Sequence, residues 1–566
     1  MMQAQVNTPL LNTAERLEAA RQATAPFAAS FETPEPHRLD VYVDVDQFLA
    51  AAGALHVLRW GYLASVTGLD RAGKDVSESS LEVLYHFCSG EAIVTLRIVL
   101  ARENPRLSSL CGVYASASIF EREVTDLLGI VFEGAPDTHR LVLADDWPDG
   151  IYPLRKDADL SPEAIAPVAR PQNEDTGNRF VVPIGPQHPA LKEPGHFEFT
   201  IEGETVVGAT VRLGYAHRGI EKMTEQRNWV QNLYLLERVC GICSHIHATA
   251  YCQAVEQLAE VTIPARAEAI RTLFAELERL HSHMLWLGVS AHEAGFDTLF
   301  MYSWRDRETV MDLLEQISGN RVHYSANVLG GVKFDLEPEH IEAILSGMDL
   351  IEERSRYYLE IVSSDPMFKR RTVGVGVMSA EQAEDWTVVG PTARGSGVAR
   401  EVRFESPYLS YRHHPPEMIL DTAGDLAARF RVRVLEMLES CRYIRVLLAD
   451  LPTGDLTTRM PRKIKAGETI SRVEAPRGEL MYFIRSGGGD MPERIRVRTP
   501  TLCNLGSVLS LSIGRQLADV PMILAGVDPC FSCNDRTITL RRQDDRDAPQ
   551  TWTWDRLRRH GIEVYR

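Results

Sequence analysis

The chain has 566 residues, with 78 acidic against 61 basic side chains and a formal net charge of −17. That length suggests more than one domain and a large buried core, and the acidic balance argues against nucleic acid or an anionic membrane surface as the main partner. No run of 18 apolar residues occurs and no charged segment followed by an apolar stretch opens the sequence, so the expectation is a chain that does not itself span a membrane and works in the cytoplasm or on the cytoplasmic face of a membrane complex.

In chain order, residues 1–38 read as a polar, Ala-rich leader with one short helical stretch, AERLEAARQA, that stops at Pro34 and Pro36. From 39 to 157, strand-like VYVDV and AIVTLRIVLA alternate with amphipathic stretches, which predicts a compact α+β module. This module carries no metal or acid–base cluster and reads as a docking unit. Residues 158–179 hold three prolines and little apolar content, as a linker does. Beyond it, apolar residues recur at helical spacing over 264–294, 338–364 and 416–449, predicting a helix-rich core with strand pieces at 180–215 and 490–500. The fold class expected is therefore α+β: a small α+β domain followed by a mainly α-helical domain. Gly487 to Gly489 read as a turn. Gly390 to Gly397 form a glycine-rich stretch without the Gly-Lys-Ser/Thr ending of a phosphate loop. His281 and His283, two apart on a predicted helix, do not share a face and read as core or surface residues.

Four of the nine cysteines form two Cys-x-x-Cys pairs some 290 positions apart: Cys240 and Cys243 in RVCGICSHIHA, and Cys530 and Cys533 in DPCFSCNDR. Each pair places two sulfurs on one side of a turn, and thiolates favour nickel, zinc, copper(I) or iron over magnesium or calcium. A structural zinc site is the plain alternative, but its pairs usually lie roughly 15–20 residues apart in one small lobe. Here the site closes only once the whole domain has folded. Cys88, Cys111, Cys252, Cys441 and Cys503 are scattered and read as reduced core cysteines. No cysteine set for an iron–sulfur cluster remains in this chain.

The flanks of the two pairs resemble the large subunit of nickel–iron hydrogenases. Arg238 precedes and His247 follows the first pair, Asp528 and Pro529 lead the second, and Glu474-Ala-Pro-Arg477-Gly matches a third family block. The N-terminal FEREVTDLLGIVFEGAPD and PLRKD resemble the 30-kilodalton subunit of respiratory complex I. GPQHPA (185–190), HRGIEK (217–222), RTVGVGVMS and GPTARGSG resemble its 49-kilodalton subunit. In complex I that subunit lacks the metal-binding cysteines and serves a quinone, whereas this chain has all four. The resemblance covers roughly residues 40–536.

The resemblance implies four thiolates holding nickel, with Cys240 and Cys530 terminal and Cys243 and Cys533 also bridging an iron that carries carbon monoxide and cyanide. Cys530 is the implied proton acceptor and Glu193, in KEPGHF, the relay that takes the proton outward. Arg477 is expected over the open side of the metals, and His247 as a donor to a bridging sulfur. Asp528 is expected to order Arg477 or to cap the second pair. Glu221 aligns with a ligand for magnesium or iron, but the usual histidine partner is replaced by Arg536, so a salt bridge is an equally good reading. The implied partners are an iron–sulfur small subunit, ferredoxin-like subunits, membrane-arm subunits, a formate dehydrogenase and a maturation endopeptidase. That endopeptidase would cut between Arg536 and Thr537, so 180–536 is the hydrogenase-like domain and 537–566 a removable tail. The activity implied is the interconversion of dihydrogen with protons and electrons, as in formate hydrogenlyase. The rivals are a fused quinone-binding component of complex I and a zinc-stabilised scaffold.

Overall fold

The computed structural model describes residues 12–71, 80–161, 163–166, 168 and 180–534. The first domain is a five-stranded sheet with helices. Its elements are α1 (Thr13–Thr24), β1 (Ala28–Glu35), β2 (Arg38–Val43), α2 (Phe48–Val57), β3 (Tyr62–Arg71), β4 (Ser80–Ser89), β5 (Ala92–Ala101), β6 (Arg106–Ser108), α3 (Ala117–Leu128) and β7 (Val131–Glu133). The strands run in the order β1-β2-β5-β4-β3, with β2 and β5 parallel and the other pairs antiparallel. Residues 13–35, placed in the leader by the sequence pattern, fold as α1 and the edge strand β1. Ser30 and Phe31 pair with Tyr42 and Val41 of β2, so the two prolines close a strand rather than precede the domain.

Strand alternation divides this sheet between two cores. Leu63, Val83 and Phe87 face α2 and α3, while Tyr62, Ala64 and Leu84 face away and pack against Ile470, Met481 and Phe483 of the second domain. The two domains therefore share a sheet-on-sheet interface.

The second domain opens with an antiparallel sheet of β8 (Phe180–Ile184), β9 (His196–Glu202) and β10 (Thr205–Arg212). Then follow α4 (Ile220–Thr224), α5 (Trp229–Glu237), α6 (Ser244–Leu258), α7 (Ala265–Glu293), α8 (Asp297–Ser318), the short hairpin β11 (Asn327–Val328) and β12 (Gly331–Val332), and α9 (Pro338–Ser364). Next come α10 (Pro366–Thr372), α11 (Ala380–Asp385), α12 (Pro391–Arg394), α13 (Val402–Glu405) and α14 (Leu426–Ala449). The chain continues through β13 (Ala466–Ala475), β14 (Gly478–Gly487), β15 (Pro492–Arg498), α15 (Pro500–Ser512), α16 (Val520–Val527) and α17 (Phe531–Asn534). The long helices α7, α8, α9 and α14 pack together, and α7 is buried along nearly its whole length.

Two expectations shift. The helix expected over 416–449 starts at Leu426, because Pro415 and Pro416 cannot continue a helix and Gly424 takes a positive φ of 70°. The Asp425 carboxylate then caps it, accepting from the Ala428 amide at 2.8 Å. The strand expected at 490–500 is β15, but it is the edge of a three-stranded sheet whose other members, β13 and β14, show no strict alternation in the sequence. Both are buried on both faces, which removes the period-2 signal. Among the described residues no helix is long and apolar enough to cross a membrane.

Candidate metal centre

The first cysteine pair sits in the link between α5 and α6, with Cys243 in the capping position of α6. The second runs from the link after α16, which holds Cys530, into α17, which holds Cys533, and Asp528 at its start takes a left-handed conformation (φ 59°). The amide of Cys530 donates to Thr501 Oγ1 at 3.0 Å, fixing this loop to α15. Folding brings all four sulfurs together: Cys240 to Cys530 is 3.4 Å, Cys243 to Cys533 is 3.6 Å and Cys530 to Cys533 is 3.1 Å. All four residues are buried. An ion about 2.3 Å from each sulfur sets neighbouring sulfurs roughly 3.3–3.8 Å apart, so the cage has the size of a four-thiolate site with only slight contraction. The residues fit a soft metal.

Hydrogen bonds from the neighbouring thiols hold Cys240 well below the ordinary thiol range, and the hydrogen bonds those thiols make to it, together with burial, push Cys243, Cys530 and Cys533 well above it. Deprotonating all four sulfurs this close together calls for a cation among them.

Around the cage, His247 on α6 places Nε2 3.6 Å from Cys533 Sγ, while its Nδ1 meets the Tyr482 hydroxyl of β14 at 2.8 Å. With that hydroxyl donating to Nδ1, the ring proton sits on Nε2 and points at the sulfur. Glu193, in the loop between β8 and β9, sets Oε1 3.7 Å from Cys530 Sγ and accepts the Ser532 amide on Oε2 at 2.7 Å. Arg477 occupies the turn of the β13–β14 hairpin. Its Nε donates to the Asp528 carbonyl (3.0 Å) and its Nη2 to the Asp528 carboxylate (3.1 Å). Its buried Nη1 has no hydrogen-bond partner among the described residues, and the guanidinium feels the charges of Cys530, Cys243 and Cys240. Burial opposes ionisation of Asp528, yet Arg477, Lys192 and Arg433 outweigh it and hold the carboxyl below its usual range.

Several residues at the centre carried no sequence signal for this role. Arg218, quoted above only within HRGIEK, donates to the carbonyls of Arg238 (2.9 Å), Val239 (2.7 Å) and Ser532 (2.7 Å), joining the backbones of both cysteine loops. Lys192 Nζ lies 2.5 Å from the Asp528 carboxylate. Glu278 of α7 accepts the His245 and Ile246 amides at 2.7 and 3.0 Å, so it takes the N-terminal donors of α6. Burial pushes its carboxyl up to about 8. Only the fold could reveal these partners, since each comes from a distant segment.

Glu221 is buried away from the cage. Its carboxylate lies 2.7 Å from Arg494 and 3.3 Å from Arg496 and accepts the Val497 amide at 3.0 Å, so the geometry supports the salt-bridge reading. Arg238 is half-exposed and pairs with Glu237 at 3.1 Å. His283 meets Glu436 at 2.9 Å and His281 meets Tyr324 at 3.2 Å, both buried in the helical core. Arg536 and the expected cleavage position lie outside the described residues.

Comparison with known proteins agrees with this geometry. The family model "Respiratory-chain NADH dehydrogenase, 30 Kd subunit" matches residues 41–164, "Nickel-dependent hydrogenase" matches 218–292, and "Respiratory-chain NADH dehydrogenase, 49 Kd subunit" matches 293–466 and 458–536. The chain is 34% identical to formate hydrogenlyase subunit 5 of Escherichia coli (strain K12), over 93% of each chain. It is 33% identical to the C/D component of the NADH-quinone oxidoreductase of Bacteroides thetaiotaomicron, over 82% of this chain and 94% of that one. A solved chain from the membrane-bound sulfane sulfur reductase, an archaeal respiratory membrane complex, superposes with a TM-score of 0.62 at 30% identity. That match covers 64% of this chain and all of the other.

Proposed function

The chain belongs to the family of hydrogenase large subunits related to respiratory complex I, and from that membership we propose that it is the catalytic subunit of a nickel–iron hydrogenase in a membrane-associated complex of the formate hydrogenlyase type. One observation carries the reading: two distant Cys-x-x-Cys pairs converge into one buried four-sulfur cage, with Glu193, His247 and Arg477 around it. Complex I ancestry accounts for the 30- and 49-kilodalton matches, but a quinone-binding role gives no reason for four converging thiols.

A nickel–iron pair, its iron carrying carbon monoxide and cyanide, supplies the redox chemistry that interconverts dihydrogen with two protons and two electrons. Cys240, Cys243, Cys530 and Cys533 would hold it, Cys240 and Cys530 as terminal thiolates and Cys243 and Cys533 shared with the iron. The Cys530 sulfur accepts the proton, and Glu193 Oε1, 3.7 Å away, carries it toward the surface because the glutamate is only partly buried. His247 donates to Cys533 and steadies a bridging sulfur. Arg477, braced by Asp528 and Lys192, keeps a fixed positive charge beside the cage, where a low dielectric strengthens it. The close packing of the cage excludes water.

Electrons pass through an iron–sulfur small subunit and ferredoxin-like subunits, in a complex of the kind that also takes a formate dehydrogenase as partner. A membrane arm holds the assembly on the cytoplasmic face. A maturation endopeptidase cuts between Arg536 and Thr537, so that active enzyme lacks 537–566. Metal analysis of the intact complex tests the main reading. About one nickel per chain is expected, lost in Cys240→Ser, and near-stoichiometric zinc alone would end the hydrogenase assignment. Intact mass of the active enzyme tests the cut, which fails if Thr537 to Arg566 remain on nickel-loaded protein.

A further inference from the structure

Arg477 stands in the two-residue turn of the β13–β14 hairpin, and the residues just below that turn are tied to the N-terminal domain. Glu474 and Glu479 pair directly across the hairpin, so their carboxylates share a face and repel unless each has its own counter-charge. Glu474 has Arg394 at 2.9 Å and the Val402 amide at 3.0 Å. Glu479 has Arg472 at 2.7 Å, Arg498, and the hydroxyl of Tyr62 at 2.6 Å. Tyr62 belongs to β3 of the first domain, 417 positions away in sequence. The same domain offers the Gly90 carbonyl to Arg472 at 2.7 Å, and the Arg400 guanidinium lies 3.8 Å over the Tyr62 ring. Each of these residues is fully or nearly buried except Gly90 and Arg400.

We infer that Tyr62 is a positioning residue for Arg477, so that the first domain, which reads from sequence as a docking unit alone, sets the geometry of the metal centre. The hydroxyl fixes Glu479, and Glu479 fixes the hairpin end that carries the guanidinium. Gly390 completes the support. A Cβ there would stand 2.3 Å from the Arg477 carbonyl, so the start of α12 abuts the turn closely enough to need a glycine. Loss of the Tyr62 hydroxyl leaves the ring and the interface in place but removes the contact by which the first domain holds Glu479, so that Arg472 and Arg498 alone keep it from Glu474.

The role of Arg477 rests on the hydrogenase reading, so the test has one arm that does not. In the full complex, Tyr62→Phe is expected to lower hydrogen turnover by roughly ten- to a hundredfold at unchanged nickel content, since small misplacements beside the reacting atoms cost that much. In an Arg477→Lys background the same change is expected to cost less than about twofold, because residues acting as a unit are non-additive. Hydrogen–deuterium exchange of the backbone across 474–480 is expected to quicken about tenfold in Tyr62→Phe, with exchange in α9 unchanged. Equal losses in both backgrounds, or unchanged exchange across 474–480, overturn the inference. A wild-type complex without nickel or hydrogen turnover sinks the hydrogenase reading instead, and the exchange result still decides whether Tyr62 holds the hairpin.

Discussion

The two oxygens of Glu193 do different things: Oε2 is spent on the Ser532 amide, and Oε1 is left for Cys530. A Glu193→Gln side chain can keep the first bond through its carbonyl and put its amide toward the sulfur, so geometry survives while titration does not. Turnover is expected to fall on the order of 100-fold or more with normal nickel content, and full hydrogen evolution by the variant would place the relay elsewhere. Tyr482 acts one step further back, through His247. Tyr482→Phe removes one hydrogen bond, about 1 kcal/mol, and a loss of roughly fivefold in turnover follows. His247→Ala should lose more, since it removes the donor itself; if the two variants are equally impaired, the hydroxyl does more than orient the ring. The cage residues are legible in sequence because a thiol pair needs only a tight local turn, and the turn and its flanks are contiguous. Arg218, Tyr482 and Lys192 are not, because each makes its contact with a segment far along the chain.

At the scale of elements, the block Glu474 to Arg477 shows why a motif can be recognised without its shape. The sequence pattern assigns no strand here, and the structure gives the tip of a hairpin whose two strands are buried on both faces. Ala475 pairs with Gly478, leaving Pro476 and Arg477 as the turn. The long helices are legible because their apolar residues repeat over many turns, as α7 and α9 do. The KEPGHF loop depends on Gly195, where a Cβ would stand 2.6 Å from the Phe531 ring. Phe531 lies between Cys530 and Cys533 and packs edge-on against Phe197. Gly195→Ala therefore pushes on Phe531 and, through it, on the adjoining Cys530 and on Cys533 of α17. Overpacking of this kind costs about 1–3 kcal/mol, and the expected result is purified complex with clearly less nickel per chain than wild type. Full nickel occupancy would show that Phe531 can move without its neighbours.

Across the whole molecule, the interface between the two domains holds ion pairs beside its apolar contacts, Arg97 with Glu468 at 2.8 Å and Glu123 with Arg496 at 2.6 Å, and the Glu479 cluster lies against it, none of which composition discloses. Burial opposes ionisation of Glu479, but Arg472 and Arg498 prevail and hold its carboxyl at about 2. With the folded value below the unfolded one, the stabilisation is present above pH ~4.5 and is lost as pH falls toward 2. A displacement of this size corresponds to about 3 kcal/mol. Denaturant midpoints measured between pH 6 and 3 should fall in the wild type and fall less steeply in Glu479→Gln. Parallel curves would mean the interface is not where acid acts. The first domain also begins earlier than its apolar pattern suggests: β1 is short of apolar residues because it is an edge strand, not because it lies outside the fold.

Two thiol pairs on stretches of chain some 290 residues apart also act as a clasp on the unfolded state. A link between positions that distant removes loop-closure entropy worth roughly 6 kcal/mol, on the chain-entropy estimate used for disulfides, for as long as both pairs stay bonded to the same ion. The four-thiol centre is in this sense a cross-link over a separation of 290 residues, and emptying it lengthens the free chain of every partly opened state.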